Sequence, residues 1–135
     1  MPSLKDLHCS IELGDSHEKL PEYGTIYVDG FVESFVAVPS GPTRFAVRLC
    51  SSAYIAEGLA VYVFIDGVYQ CNRNRRGLQD RRDNGKPLGR STLVNFLLRQ
   101  KEERQKNGAM IARPWAFEEL NIGKGYLTLY DCYTY

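Results

Sequence analysis

"STLVNFLLRQKEERQKNG", residues 91–108, decides the fold class. Read with a period of 3.6, Ser91 caps a helix, Leu93, Phe96 and Leu97 share its apolar face, and Gly108 closes it. The chain would then be α+β. Read with a period of two, Val94, Phe96 and Leu98 alternate, and the segment is a long strand entering a hairpin at Asn107-Gly108. The surrounding sequence favours the strand, because the chain on both sides has β character.

In "LHCSIEL" (residues 7–13), Leu7, Cys9, Ile11 and Leu13 fall on one face and His8, Ser10 and Glu12 on the other. That is the pattern of a half-buried strand. "TRFAVRL" (43–49) repeats it, with Phe45, Val47 and Leu49 inward and Arg44 and Arg48 outward. "GLAVYVFI" (58–65) is apolar throughout and reads as a central strand covered on both faces. Asp29-Gly30 lies between "TIYV" and "FVESFVAV", Asp66-Gly67 between "AVYVFI" and "VYQC", and Asn107-Gly108 between "FLLRQKEERQK" and "AMIARPW", and all three suit type I′ hairpin turns. Asn84-Gly85 has polar flanks and marks a loop. "WAFEEL" (115–120) suggests a short helical turn near Glu118.

The expected fold is one domain over residues 1–135. It is all-β, an antiparallel β-sandwich or jelly-roll-like body with one short helical turn, or α+β if 91–107 is helical. Phe31, Phe35, Tyr54, Tyr62, Phe64, Trp115 and Phe117 are expected in its core, and Trp115 is expected to be largely buried.

The chain is 44% hydrophobic and 24% charged, which suits a folded domain, and its net charge is only +1. The charge is uneven. From Asn72 to Arg90, seven basic residues face only Asp80 and Asp83, so this stretch carries +5 and the remainder −4. "MPSLKDLHCSIEL" has no apolar core of a signal peptide, and no run approaches the ~18 apolar residues of a membrane span. The reading is an intracellular protein, of cytoplasm or nucleus, without membrane association. Cys9, Cys50, Cys71 and Cys132 lie far apart without a C-x-x-C pair, which points to free thiols.

Catalytic patterns are weak. No G-x-S-x-G elbow or P-loop is present. The two histidines are His8 and His17, and strand geometry sends His8 and Cys9 to opposite faces. His8, Cys9, Asp15 and His17 match no zinc-binding spacing. No catalytic residue, metal or cofactor is expected, and the chain is read as a non-enzyme.

Binding patterns are stronger. Arg73, Arg75, Arg76, Arg81, Arg82, Lys86 and Arg90 form a candidate site for a polyanion or an acidic partner, in a loop expected at about 72–90. No aromatic residue lies between Cys71 and Arg90 to stack on bases, and Tyr69 is the nearest. Asp15, Glu18, Glu22, Glu33 and Glu57 would offer such a loop an acidic surface on a second copy if they gather together. Tyr126, Tyr130, Tyr133 and Tyr135 form a candidate interface on a terminal strand, Tyr126 and Tyr130 on one face, Tyr133 and Tyr135 on the other.

Four stretches taken together resemble an uncharacterised fungal domain family of unknown function. They are "LPEYG" (20–24), "YVDGFVESFVAVPSGPTRFAVRL" (27–49), "AYIAEGLAVYVFIDGVYQCNRNRRGL" (53–78), and "RQKEER" (99–104) with "RPWAFEELNIG" (113–123). The resemblance implies an intracellular fungal protein with an extended β-rich body and a basic segment after the Asp-Gly hairpin. It implies no chemistry. The expected function is therefore a non-enzymatic protein-interaction or self-association module, with a protein partner or homo-oligomer. The alternative is a nucleic-acid- or polyanion-associated protein using residues 73–90.

Overall fold

The computed structural model describes residues 2–53, 55, 57–76, 78 and 93–119. These form eleven strands: β1 (Ser3–Leu4), β2 (Leu7–Leu13), β3 (Glu22–Val28), β4 (Phe31–Val36), β5 (Thr43–Ser51), β6 (Gly58–Ile65), β7 (Val68–Arg76), β8 (Asn95–Leu98), β9 (Gln100–Arg104), β10 (Met110–Pro114) and β11 (Ala116–Phe117). All pairings are antiparallel, and the described residues contain no helix. The fold is all-β and sandwich-like.

A five-stranded sheet runs in the order β1-β2-β5-β11, with β8 also paired to β5. The long β5 takes β2 along one edge, and β8 and β11 in turn along the other. Beyond it are three two-stranded ribbons, β3–β4, β6–β7 and β9–β10. The period-two reading of β2 and β5 explains the core. Ile11, Phe45 and Leu49 are buried on one face with Phe96 and Leu98 of β8. Val61, Val63 and Cys71 of the β6–β7 ribbon close the same apolar cluster, together with Leu20, Val94 and Trp115. Trp115 stacks on Phe45 with ring centroids 5.9 Å apart, and its indole N–H donates to Gln70 Oε1 at 3.2 Å. A buried indole needs such an acceptor.

The decisive stretch is a strand, but not one strand. β8 pairs with β5, and β9 leaves that sheet to pair with β10. Arg99 is the corner. Its carbonyl accepts the Trp115 N–H at 3.0 Å, which ties the corner to the next element. The helical turn expected near Glu118 does not form among the described residues. Ala116 and Phe117 instead pair with Arg44 and Thr43, and Phe117 stacks on Phe45 at 4.4 Å. That contact outweighs local helix propensity. The central strand expected over 58–65 is half of a ribbon, with Val61 and Val63 inward and Tyr62 exposed.

The hairpins differ in detail from the expected type I′ series. Only Asp66-Gly67 has both residues at positive φ, 51° and 74°. At Asp29-Gly30 and Asn107-Gly108 the glycine alone is left-handed. A second hairpin with both central residues left-handed escaped the sequence reading because it lacks glycine. Lys5 and Asp6, at φ 46° and 65°, join β1 to β2 with Leu4 opposite Leu7.

Candidate interaction surfaces

The arginine segment begins on a strand rather than in a loop. β7 runs to Arg76, and alternation places Cys71, Arg73 and Arg75 on one face and Asn72, Asn74 and Arg76 on the other. Cys71 is buried, so Arg73 and Arg75 follow it onto the inward-turned face. Arg73 Nη2 donates to Glu102 Oε1 of β9 at 3.1 Å, and its Nη1 donates to the Asn72 carbonyl. The Arg75 guanidinium lies 4.7 Å from the centroid of the Phe96 ring. Both side chains fasten β7 to neighbouring strands. Arg76 stands opposite Gly58 at the ribbon's end and makes no side-chain bond or ion pair among the described residues. Burial pushes the Cys71 thiol pKa up, with Arg73 pulling it partly back. Arg81, Arg82, Lys86 and Arg90, and the tyrosines Tyr126, Tyr130, Tyr133 and Tyr135, lie outside the described residues.

The suggested acidic surface does not assemble as one face. Glu22 and Glu33 project from opposite faces of the β3–β4 ribbon, while Glu57 precedes β6 in another sheet.

The polar face of β2 holds a cluster that alternation alone assigns to solvent. Ser10 and Glu12 are buried, Glu12 to 2% exposure. Ser10 lies directly opposite Arg48. Arg48 Nε donates to Glu12 Oε1 at 2.6 Å, and Arg48 Nη1 donates to Asn95 Oδ1 of β8 at 3.0 Å. The bond to Glu12, more than any other factor, raises the guanidinium pKa above its ordinary value. His17, held at φ 57°, brings Nδ1 to 3.9 Å from Glu12 Oε2. His8 sits opposite Cys50 and bonds Ser52 Oγ through Nε2 at 3.0 Å, whereas Cys9 faces the other way, opposite Leu49. The cluster ties three strands together: β2, β5 and β8.

The largest departure from expectation is the β3–β4 ribbon. Phe31 and Phe35, expected in the core, are exposed, Phe35 to 59%. The register sets Tyr23 opposite Phe35, Ile26 opposite Glu33 and Val28 opposite Phe31. Directly opposed residues share a face. Tyr23, Ile26, Val28, Phe31 and Phe35 therefore form one apolar face, every member exposed, with Glu33 at its middle. Simple alternation would put Tyr23 and Ile26, three residues apart, on opposite faces. A bulge between them restores the match. Gly24, at φ 59°, supplies the left-handed residue, and a Cβ added there would meet Cδ2 of the Phe35 ring at 3.3 Å. On the reverse face Thr25 Oγ1 and Ser34 Oγ share a hydrogen bond of 3.0 Å. The sequence signal was present in "EYGTIYV": a glycine inside a strand pattern marks a bulge.

Comparison of the chain with family models, with curated proteins and with solved structures gives no match. Among the described residues, no group of three or more His, Cys, Asp or Glu side chains is placed to hold a metal ion, and no helix is long and apolar enough to cross a membrane.

Proposed function

We propose that the chain is a non-enzymatic protein-interaction module, an intracellular member of the β-rich fungal family that its motifs resemble. The observation that carries this reading is the apolar face of the β3–β4 ribbon. Five exposed aromatic and aliphatic side chains stand together on it, although a folded chain gains by burying such groups. Aromatic residues grouped in this way are the usual anchors of protein interfaces.

The polyanion reading has less support. Arg73 and Arg75 are committed to Glu102 and Phe96, so their charge is partly neutralised or held against the body of the domain. Tyr23→Ser/Phe31→Ser/Phe35→Ser tests the proposal. The variant should keep the circular dichroism and thermal midpoint of the wild type, because the three side chains are exposed. It should lose any complex that the wild type forms in sedimentation velocity, either with itself or with a purified partner identified from cells. Complexes retained unchanged by the variant overturn the reading.

A further inference from the structure

The acidic character of the ribbon selects its partner. From Glu22 to Val36 the ribbon carries Glu22, Asp29 and Glu33 and no lysine, arginine or histidine. Glu33 stands on the apolar face, between Phe31 and Phe35 along β4 and opposite Ile26 on β3. It makes no hydrogen bond or ion pair among the described residues. Any surface that covers the five apolar side chains also covers this carboxylate. Burying an unpaired carboxylate is costly, so a fitting partner must bring its own cation to that point.

Resting on the protein-interaction reading, we infer that the β3–β4 face docks a segment of another protein whose apolar residues flank one central basic side chain. Arginine matches the site best, since its forked donors engage a carboxylate bidentately. The ribbon's seven-residue strand spans about 20 Å, enough to seat a partner strand of roughly six residues. Two other occupants fit poorly. A second copy docked through the same face, about a two-fold axis near its centre, sets Glu33 against Glu33. An anionic membrane or a nucleic acid docked on this face meets the Glu33 carboxylate at its centre and no basic residue of the ribbon.

Selection of displayed random peptides on the wild-type chain, with counter-selection on Tyr23→Ser/Phe31→Ser/Phe35→Ser, tests this directly. Enriched peptides should carry arginine or lysine between apolar residues. Glu33→Lys should weaken those peptides by at least about tenfold and shift enrichment to peptides with a central acid. Enrichment without a basic preference, or a preference that Glu33→Lys leaves untouched, overturns the inference. So does failure to enrich any peptide. Binding of phosphatidylserine vesicles or a single-stranded oligonucleotide that the triple variant loses also overturns it, as does dimerisation lost with that variant. The two readings separate cleanly. If the triple variant loses its complex but Glu33→Lys changes nothing, the interaction module stands and the basic partner falls.

Discussion

β2 and the β3–β4 ribbon invert each other. β2 buries a carboxylate, while the ribbon exposes two phenylalanines, a tyrosine, a valine and an isoleucine on one face. The difference follows from where the strands sit. β5 has a strand along each edge and a core on one face, so Arg48 can reach both Glu12 on β2 and Asn95 on β8. The β3–β4 ribbon pairs only with itself among the described residues, and the side chains of its apolar face are exposed. Hydropathy assigns residues to faces, and the number of layers around a strand decides which faces are wet.

The largest expected effect lies in the interior. Trp115→Ala removes the stack on Phe45 and the indole bond to Gln70, and should cost roughly 3–5 kcal/mol in denaturant unfolding. A loss below about 1 kcal/mol would mean that Trp115 does not hold the core, and the contrast between a committed interior and an uncommitted ribbon would fail.

Arg48→Ala comes next. It takes the guanidinium from Oε1 of the buried Glu12, whose Oε2 already lacks a hydrogen bond among the described residues, and should cost about 3 kcal/mol. The matching double variant, Glu12→Leu with Arg48→Met, should recover most of that loss, because apolar replacements of similar size remove both desolvation penalties. If the double variant is as unstable as the single one, the cluster contributes attraction beyond mutual compensation.

These two effects differ in how legible they were. The core face of β2 and β5 and the burial of Trp115 follow from alternation in "LHCSIEL" and "TRFAVRL" and from the size of the indole. Burial of Glu12 was not legible, because its cation lies 36 residues away on a neighbouring strand. Arg73 and Arg75 were read as a free basic segment because arginines were counted without their parity relative to Cys71. The exposed ribbon was misread because aromatic residues usually find a core, and the bulge at Gly24 that collects them on one face is a matter of backbone geometry rather than composition.

Gly24→Ala probes that geometry. A side chain at φ 59° costs about 1–2 kcal/mol, and here it also presses on the Phe35 ring. The expected outcome is a loss of that size, coupled to weaker partner binding as Tyr23 and Ile26 shift relative to each other. A loss of stability with partner binding unchanged would show that the face does not depend on the bulge.

The smallest expected effect separates neighbouring arginines. Arg75→Ala removes the guanidinium from the Phe96 face, an interaction of about 0.5–1 kcal/mol at an accessible site. Arg76→Ala removes a side chain that touches nothing charged or aromatic among the described residues, and should shift stability by less than about 0.5 kcal/mol. Chemical denaturation of the two variants side by side resolves the difference if several independent curves are fitted with a common slope. The parity argument requires that Arg75→Ala be the more destabilising of the two. Equal losses would mean that the inward face of β7 carries no advantage for Arg75. The arginine stretch would then act from its first residues as the free cationic surface that composition alone suggests.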